Sequence, residues 1–421
     1  MDKLVIEGGV ALKGEVKISG AKNAVLPILA ATLLTDKKCV IKNVPRLNDV
    51  YTMLRILSAL GMKTDFCEDT ITVEPSSRRK YFAPYRLVRT MRASFCVLGP
   101  LVARLKKAEV SLPGGCIIGV RPVDLHLKGI SALGVDIEIE SGYVKARVKK
   151  NLKANNIYLG GEFGSSVLAT ANVMMAAVFA KGKTILESCA CEPEVVDLAK
   201  FLKKMGAKIN GEGTPCIEIE GVNELKGAEY SVIPDRIETG TFMVAAAITH
   251  GAVQIKNFIR GHLSCVIDKL EETGLHLKMY DNAALIKLKR RLKPVNITTL
   301  PYPGFPTDMQ AQFMSLMAIT PGVSVITEKV YPDRFMHIAE LNRMGAHIQR
   351  EGPHAIVQGV RQFSGAPVMA SDLRASAALV LAGLVAKGKT EIFRIYHLDR
   401  GYEKLDKKLE ALGARVWREK E

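Results

Sequence analysis

Two kinds of helical pattern alternate along this chain. In one, apolar positions recur every three or four residues between charged ones, as in 195–205 and 402–412. Such a helix lays one stripe on a core and shows its other face to water. In the other kind polar residues are nearly absent all round, over 23–34, 91–103, 167–180, 239–250, 309–319 and 374–386. A helix without a polar face has to be enclosed on every side. Each enclosed segment is followed by a short β-prone run: Val40-Ile41, Val110-Ser111, Thr184-Ile185, Val253-Gln254-Ile255, 323–326 and 390–393. Each amphipathic segment runs into a glycine and then an alternating strand, such as Lys208-Ile209 or Arg415-Val416-Trp417.

That glycine step recurs at Gly61, Gly134, Gly206, Gly274, Gly345 and Gly413. The six are about 70 residues apart, too far for the module of a solenoid. Glycine suits the left-handed cap that ends a helix. The chain therefore reads as six units of strand, buried helix, strand, surface helix, strand and a further strand. A length of 421 residues favours two domains, hence three units in each. The fold class is α/β, with sheets wrapped around buried helices, the reverse of a barrel whose strands fill the middle.

Hydrophobic content of 48% and charged content of 24% are ordinary for a globular protein. The most apolar run, 377–386, is far short of the roughly 20 residues that cross a bilayer. Asp2, Lys3, Glu7 and Lys13 interrupt any apolar leader. These features predict a cytoplasmic protein with no membrane partner. Of the eight cysteines only Cys189 and Cys191 lie close in sequence, and no Cys or His spacing forms a metal site, so reduced thiols are expected. A net charge of +16 admits nucleic acid, anionic small molecules or a basic surface. The basic runs at 149–150, 203–204, 289–291 and 407–408 lie outside the glycine-rich segments, with few aromatics to stack on bases. That favours a solvated surface and no nucleic-acid partner.

The enclosed helices begin on polar phrases: Ser19-Gly20-Ala21-Lys22-Asn23, Arg89-Thr90-Met91-Arg92, Gly164-Ser165-Ser166, Asp235-Arg236-Ile237-Glu238-Thr239, Thr307-Asp308 and Ser371-Asp372-Leu373-Arg374. Ser, Thr and Asp are preferred N-caps, and capping accounts for Thr239 and Thr307. It does not account for Lys22, Arg92 or Arg374, because a cation opposes the dipole at that end. A cation there makes sense if an anion sits between it and the helix amides. The loop 112–122 holds three glycines, two prolines and Cys116, whose thiolate the nearby Arg121 would favour. Cys96 and Cys265, on apolar stretches, read as inert small hydrophobes.

Apart from Gly164-Ser165-Ser166, these phrases resemble, from end to end, the UDP-N-acetylglucosamine 1-carboxyvinyltransferase family of enolpyruvyl transferases. So do Thr-Met-Arg-Ala-Ser at 90–94, Arg121-Pro122-Val123-Asp124-Leu125-His126 and Cys191-Glu192-Pro193-Glu194. The same holds for Tyr302-Pro303-Gly304-Phe305-Pro306-Thr307-Asp308, Asp333-Arg334-Phe335-Met336-His337 and Asp399-Arg400-Gly401-Tyr402. The resemblance implies a two-domain inside-out α/β barrel. Residues 1–20 with 231–421 would form a discontinuous domain, 21–230 the domain carrying the Cys116 loop, and the active site would lie in the cleft between them. The implied reaction moves the enolpyruvyl group of phosphoenolpyruvate to the 3′-hydroxyl of UDP-N-acetylglucosamine. It passes through a tetrahedral ketal and releases phosphate, as the committing step of peptidoglycan synthesis. No metal or organic cofactor is implied.

By the same resemblance Cys116 protonates C3 of phosphoenolpyruvate and can add to C2, while Asp308 takes the hydroxyl proton. Lys22, Arg121 and Arg400 hold phosphoenolpyruvate, chiefly its phosphate, and Arg334 and Arg374 clamp its carboxylate. Arg92 supports the loop and both substrates. Nucleotide-sugar contacts fall on Asn23, Arg92, Arg121, Pro122, Val123, Asp124, Leu125, Ser166, Val167, Asp308, Val330 and Tyr331. A cysteine at 116 implies alkylation by the epoxide antibiotic fosfomycin. The stretch 160–168 departs from the family's usual form. The sister enzyme acting on shikimate 3-phosphate is disfavoured by Gly114-Gly115-Cys116, and a monomer is the simplest expectation.

Overall fold

A computed structural model describes residues 2–76, 79–113, 123–162, 164–288 and 291–421. The six enclosed segments overlap the helices Lys22–Ala31, Leu98–Leu105, Val167–Ala177, Arg236–Ile248, Gln310–Met317 and Leu373–Val385. Every residue of Arg236–Ile248 and of Gln310–Met317 is buried. The second differs from the expected regular helix over 91–103, beginning as a 3-10 helix, Arg92–Val97, and becoming α-helical only at Leu98. Pro100 accounts for this: it has no N–H for the Cys96 carbonyl, and starting the α-helix at Leu98 places the proline in the first turn, where no such bond is needed. The surface helices include Pro193–Lys204 and Leu405–Ala411.

The glycines that end the surface helices all take positive φ, from 84° at Gly134 to 108° at Gly206. A Cβ at Gly206, Gly345 or Gly413 would meet nothing within 4 Å. Backbone conformation, not space, is what requires glycine there.

Six four-stranded sheets share one order. An outer strand runs parallel to the strand that follows the buried helix, and two antiparallel strands complete the set. Phe82–Ala83, Lys107–Ser111, Tyr143–Val148 and Val135–Glu140 show the pattern within one repeat. In the first and fourth repeats the outer strands are exchanged. Lys13–Lys17 runs parallel to Ala252–Lys256, and Glu229–Ser231 runs parallel to Cys39–Lys42. The sixth sheet is completed by the first strand, Asp2–Glu7, lying antiparallel between Lys389–Phe393 and Arg415–Lys420.

Contacts divide the chain accordingly into two compact units, residues 2–19 with 234–421 and residues 20–113 with 123–233. Each unit has its own apolar core, built on three buried helices that pack on one another. This is the inside-out α/β arrangement. Among the described residues no helix is long and apolar enough to cross a membrane.

Candidate active site

In the unit of residues 2–19 and 234–421, a single 3-10 turn, Thr307–Met309, leads into the buried helix Gln310–Met317. Asp308 in that turn sets its carboxylate between two arginines from other elements. Oδ1 accepts from Arg334 Nη1 at 2.8 Å, and Oδ2 accepts from Arg374 Nε and Nη2 at 3.2 and 3.1 Å. Arg374 is the second residue of the helix Leu373–Val385 and only 1% exposed. A buried cation at this helix end needs an anion, and Asp308 supplies it. Asp372 caps the same end, accepting from the N–H groups of Arg374 and Ala375 at 2.6 and 3.0 Å. The Arg374 guanidinium also lies 5.2 Å from the Tyr402 ring centroid. Burial alone would raise the Asp308 pKa. The charges of Arg374 and Arg334 overcome it and hold the carboxyl well below the usual carboxylate range.

Glu328 organises the residues around this centre. It is wholly buried at the end of the strand Val323–Glu328. Its Oε1 accepts from Thr299 Oγ1 at 2.6 Å and from the N–H groups of Val330 and Tyr331 at 2.9 Å. Its Oε2 accepts from Thr307 Oγ1 at 2.9 Å, and Arg334 Nη1 donates to that hydroxyl at 3.1 Å. The turn carrying Val330 and Tyr331 is thus tied to the turn carrying Asp308. No motif singles out Glu328. The signal was strand alternation, which puts Ser324, Ile326 and Glu328 on the inward face.

Arg400, half-buried, ends the 3-10 helix Ile395–Arg400. Its neighbour Gly401 approaches Leu373 so closely that a Cβ would stand 2.3 Å from Leu373 Cδ1. The Arg400 segment therefore packs on the start of the Arg374 helix. Arg418 holds the segment from the last strand: its fork donates to Asp399 at 2.9 and 2.7 Å and to Asp406 at 3.1 Å twice.

In the other unit Lys22 is the first residue of its buried helix, 6% exposed, with Nζ 2.7 Å from Asp49 Oδ2. Asp49, itself 3% exposed, lies in the first turn of the surface helix Asn48–Ala59. An acid there reads in sequence as a favourable dipole contact, so its role as partner to Lys22 went unseen. Half-buried Asn23 follows Lys22 in the helix. Arg92 opens the 3-10 helix Arg92–Val97. Asp124 and Leu125 open the helix Asp124–Ala132, with Val123 before them, and Ser166 caps the helix that Val167 begins, accepting from Ala169 N–H at 3.3 Å.

Buried His126 sits among these residues in a defined tautomer. Gly99 N–H donates to Asn172 Oδ1 at 2.7 Å, which turns the amide nitrogen toward Phe95 O at 3.1 Å and His126 Nδ1 at 3.0 Å. His126 Nδ1 must therefore accept. Burial, assisted by the charge of Arg92, pushes the imidazole pKa down to about 3. Gly99 permits the approach, since a Cβ there would lie 2.2 Å from the Asn172 carbonyl oxygen.

Two sequence expectations are corrected. Thr239 is not a cap: its helix starts earlier, capped by Asp235, whose Oδ1 accepts from Ile237 and Glu238 N–H at 2.8 and 3.0 Å. Thr307 is not a cap either, because its hydroxyl is spent on Glu328. Cys116, Arg121 and Pro122 lie outside the described residues. Cys96 is buried with its thiol pushed up to about 12, and burial also raises Cys265, which fits the inert reading of both. The structure joins Asp308, Arg334 and Arg374 directly, and binds Val330 and Tyr331 to them through Glu328.

The EPSP synthase (3-phosphoshikimate 1-carboxyvinyltransferase) family pattern matches residues 6–409. The UDP-N-acetylglucosamine 1-carboxyvinyltransferase of Myxococcus xanthus is 54% identical over 423 residues, covering 100% of both chains. The protein named UDP-N-acetylglucosamine 1-carboxyvinyltransferase 2 in Carboxydothermus hydrogenoformans is 54% identical over 420 residues, covering 99% of each. Among solved structures, the enolpyruvyl transferase NikO of Streptomyces tendae superposes with a TM-score of 0.88 at 25% identity, over 99% of this chain and 98% of that one. EPSP synthase from Acinetobacter baumannii superposes at 0.76 with 18% identity over the whole of both, a likeness of fold.

Proposed function

Because the chain belongs to the enolpyruvyl transferase family to which EPSP synthase gives its name, we propose that Asp308, its two buried arginines, Arg400 and Lys22 serve an enolpyruvyl transfer. The protein moves the enolpyruvyl group of phosphoenolpyruvate to the 3′-hydroxyl of UDP-N-acetylglucosamine and releases phosphate, in peptidoglycan synthesis. The observation that carries the residue assignment is the ionised Asp308 placed between Arg334 and Arg374. It joins a proton acceptor to two planar cations that suit a carboxylate.

In this scheme the sugar oxygen attacks C2 of phosphoenolpyruvate as Asp308 takes its proton and Cys116 gives one to C3. The resulting ketal then loses phosphate as C3 gives up a proton and the enol ether forms. Arg334 and Arg374 hold the carboxylate. Lys22, Arg121 and Arg400 bind the phosphate and stabilise it as it leaves. Arg92 supports the Cys116 loop. Asn23, Val123, Asp124, Leu125, Ser166, Val167, Val330 and Tyr331 line the nucleotide sugar, with Arg121 and Pro122. We place the enzyme in the cytoplasm as a monomer; the described cysteines are all free, which suits a reducing compartment.

The test is release of phosphate from phosphoenolpyruvate, with and without UDP-N-acetylglucosamine, before and after fosfomycin. Release that requires the sugar nucleotide and stops on fosfomycin treatment is expected, and Cys116→Asp should keep turnover while escaping inhibition. Release supported by shikimate 3-phosphate instead would overturn the acceptor assignment.

Arg418 yields a second expectation. Arg418→Lys keeps the charge but loses the fork that fixes Asp399, beside Arg400. The KM for phosphoenolpyruvate should rise roughly tenfold, equivalent to about 1.4 kcal/mol, with the KM for the nucleotide sugar unchanged. An equal rise in both constants would mark a purely structural role.

A further inference from the structure

Asp308 does not sit on the arginines as a simple bidentate pair. One oxygen takes Nε and Nη2 of Arg374 and the other takes Nη1 of Arg334, so the carboxylate bridges two guanidinium groups. The arginines are nearly sealed, with side chains 1% and 5% exposed, whereas the Asp308 side chain is 26% exposed. The cations are fixed: Arg374 by its helix and the Tyr402 ring, Arg334 by the Thr307 hydroxyl. The carboxylate is the component with access to solvent. Two fixed, buried guanidinium groups make a receptor for a planar two-oxygen anion, and here its occupant belongs to the protein.

Resting on the substrate reading above, we propose that Asp308 occupies the carboxylate receptor of Arg334 and Arg374 in the substrate-free enzyme, and that the carboxylate of phosphoenolpyruvate displaces it. The exchange has two consequences. Affinity for phosphoenolpyruvate is reduced by an internal competitor, as for any ligand whose competent state is fractionally populated. Displacement also separates Asp308 from the two charges that depress its basicity, so the residue becomes a better proton acceptor only when phosphoenolpyruvate is in place. A carboxylate that stayed clamped by two arginines would be a poor base.

The experiment measures binding of phosphoenolpyruvate and of inorganic phosphate, by calorimetry, to the unmodified chain, Asp308→Asn, Arg374→Gln and Asp308→Asn/Arg374→Gln. Asp308→Asn should bind phosphoenolpyruvate roughly tenfold more tightly while losing turnover, with phosphate binding unchanged, and the gain should vanish in the double variant. Unchanged or weaker phosphoenolpyruvate binding by Asp308→Asn overturns the exchange. An equal gain for phosphate overturns it too, since that is general charge repulsion. If Arg374→Gln alone binds phosphoenolpyruvate normally, the assignment of Arg374 to the substrate falls, whatever Asp308→Asn does. Should Asp308→Asn not fold, the Arg374 Nε resonance in the unmodified enzyme, identified with Arg374→Gln, gives the same answer. It should shift on adding phosphoenolpyruvate and stay in place with phosphate; a resonance that ignores both overturns the proposal.

Discussion

Exchanging Lys22 for methionine is expected to stop enolpyruvyl transfer and to destabilise its unit as well. Removing one partner of a buried ion pair costs about 3–5 kcal/mol, because the remaining charge stays in the interior. Lys22 and Asp49 are such a pair, with side chains 7% and 4% exposed. Loss of a cation placed to neutralise a leaving phosphate should lower kcat by roughly 10³-fold, about 4 kcal/mol in the transition state. Either effect alone would reduce measured activity, so a single substitution does not tell catalysis from folding. Lys22→Met/Asp49→Leu separates them. Replacing both charges with apolar groups of similar size should restore most of the thermal stability, as in other buried pairs. Turnover should remain lost. If turnover returned with stability, Lys22 would be a structural lysine, and the phosphate assignment would have to pass to Arg400 and Arg121 alone.

The sequence patterns that proved readable were those with local physical causes. A helix apolar all round has one place to go, and all six such segments became the buried helices. The glycines after the surface helices were readable because a left-handed backbone penalises every other residue, and all six adopt it. What escaped was non-local. The exchange of Lys13–Lys17 with Glu229–Ser231 between sheets leaves no trace in the pattern of either strand, and only the family resemblance, which implied that residues 1–20 join 231–421, pointed to it. Capping was misjudged at Thr239 and Thr307 for a related reason: the cap position depends on where the chain enters the helix, and a hydroxyl within reach of a buried glutamate goes to it. Asp308, Arg334 and Arg374 were named from motifs 26 to 66 residues apart, but their union in one ion cluster is a product of the fold. Asp49 and Glu328, which hold the named residues in place, carry no motif at all. Their signal is a charged residue at a position the pattern reserves for the core.

The acid behaviour of His126 offers a test of the inner packing that is independent of catalysis. Its pKa falls from the ordinary 6.5 to about 3 on folding, because burial disfavours the imidazolium and Arg92 repels it. The folded chain therefore binds fewer protons than the unfolded chain between those limits. The stability His126 contributes is complete above about pH 6.5 and is lost at about 1.4 kcal/mol per unit as pH falls toward 3. Asp197, in the same unit, acts in the opposite direction. Burial raises its carboxyl to about 6 despite hydrogen bonds from Tyr230 and Ile233, so the folded chain takes up a proton there first. The unmodified protein's pH curve thus blends opposed titrations, with His337, lowered to about 4 by burial, adding to the His126 direction, and only a difference isolates one. His126→Asn keeps an acceptor for Asn172 and cannot be protonated. Urea unfolding at about pH 7.5 and about pH 4.5 should show the variant gaining on the unmodified chain by roughly 3 kcal/mol between the two conditions, one histidine's share over two pH units. A gap that stays constant would mean that His126 is already open to protons in the folded state. The arrangement of Gly99, Asn172 and His126 would then not be closed as the hydrogen bonds require.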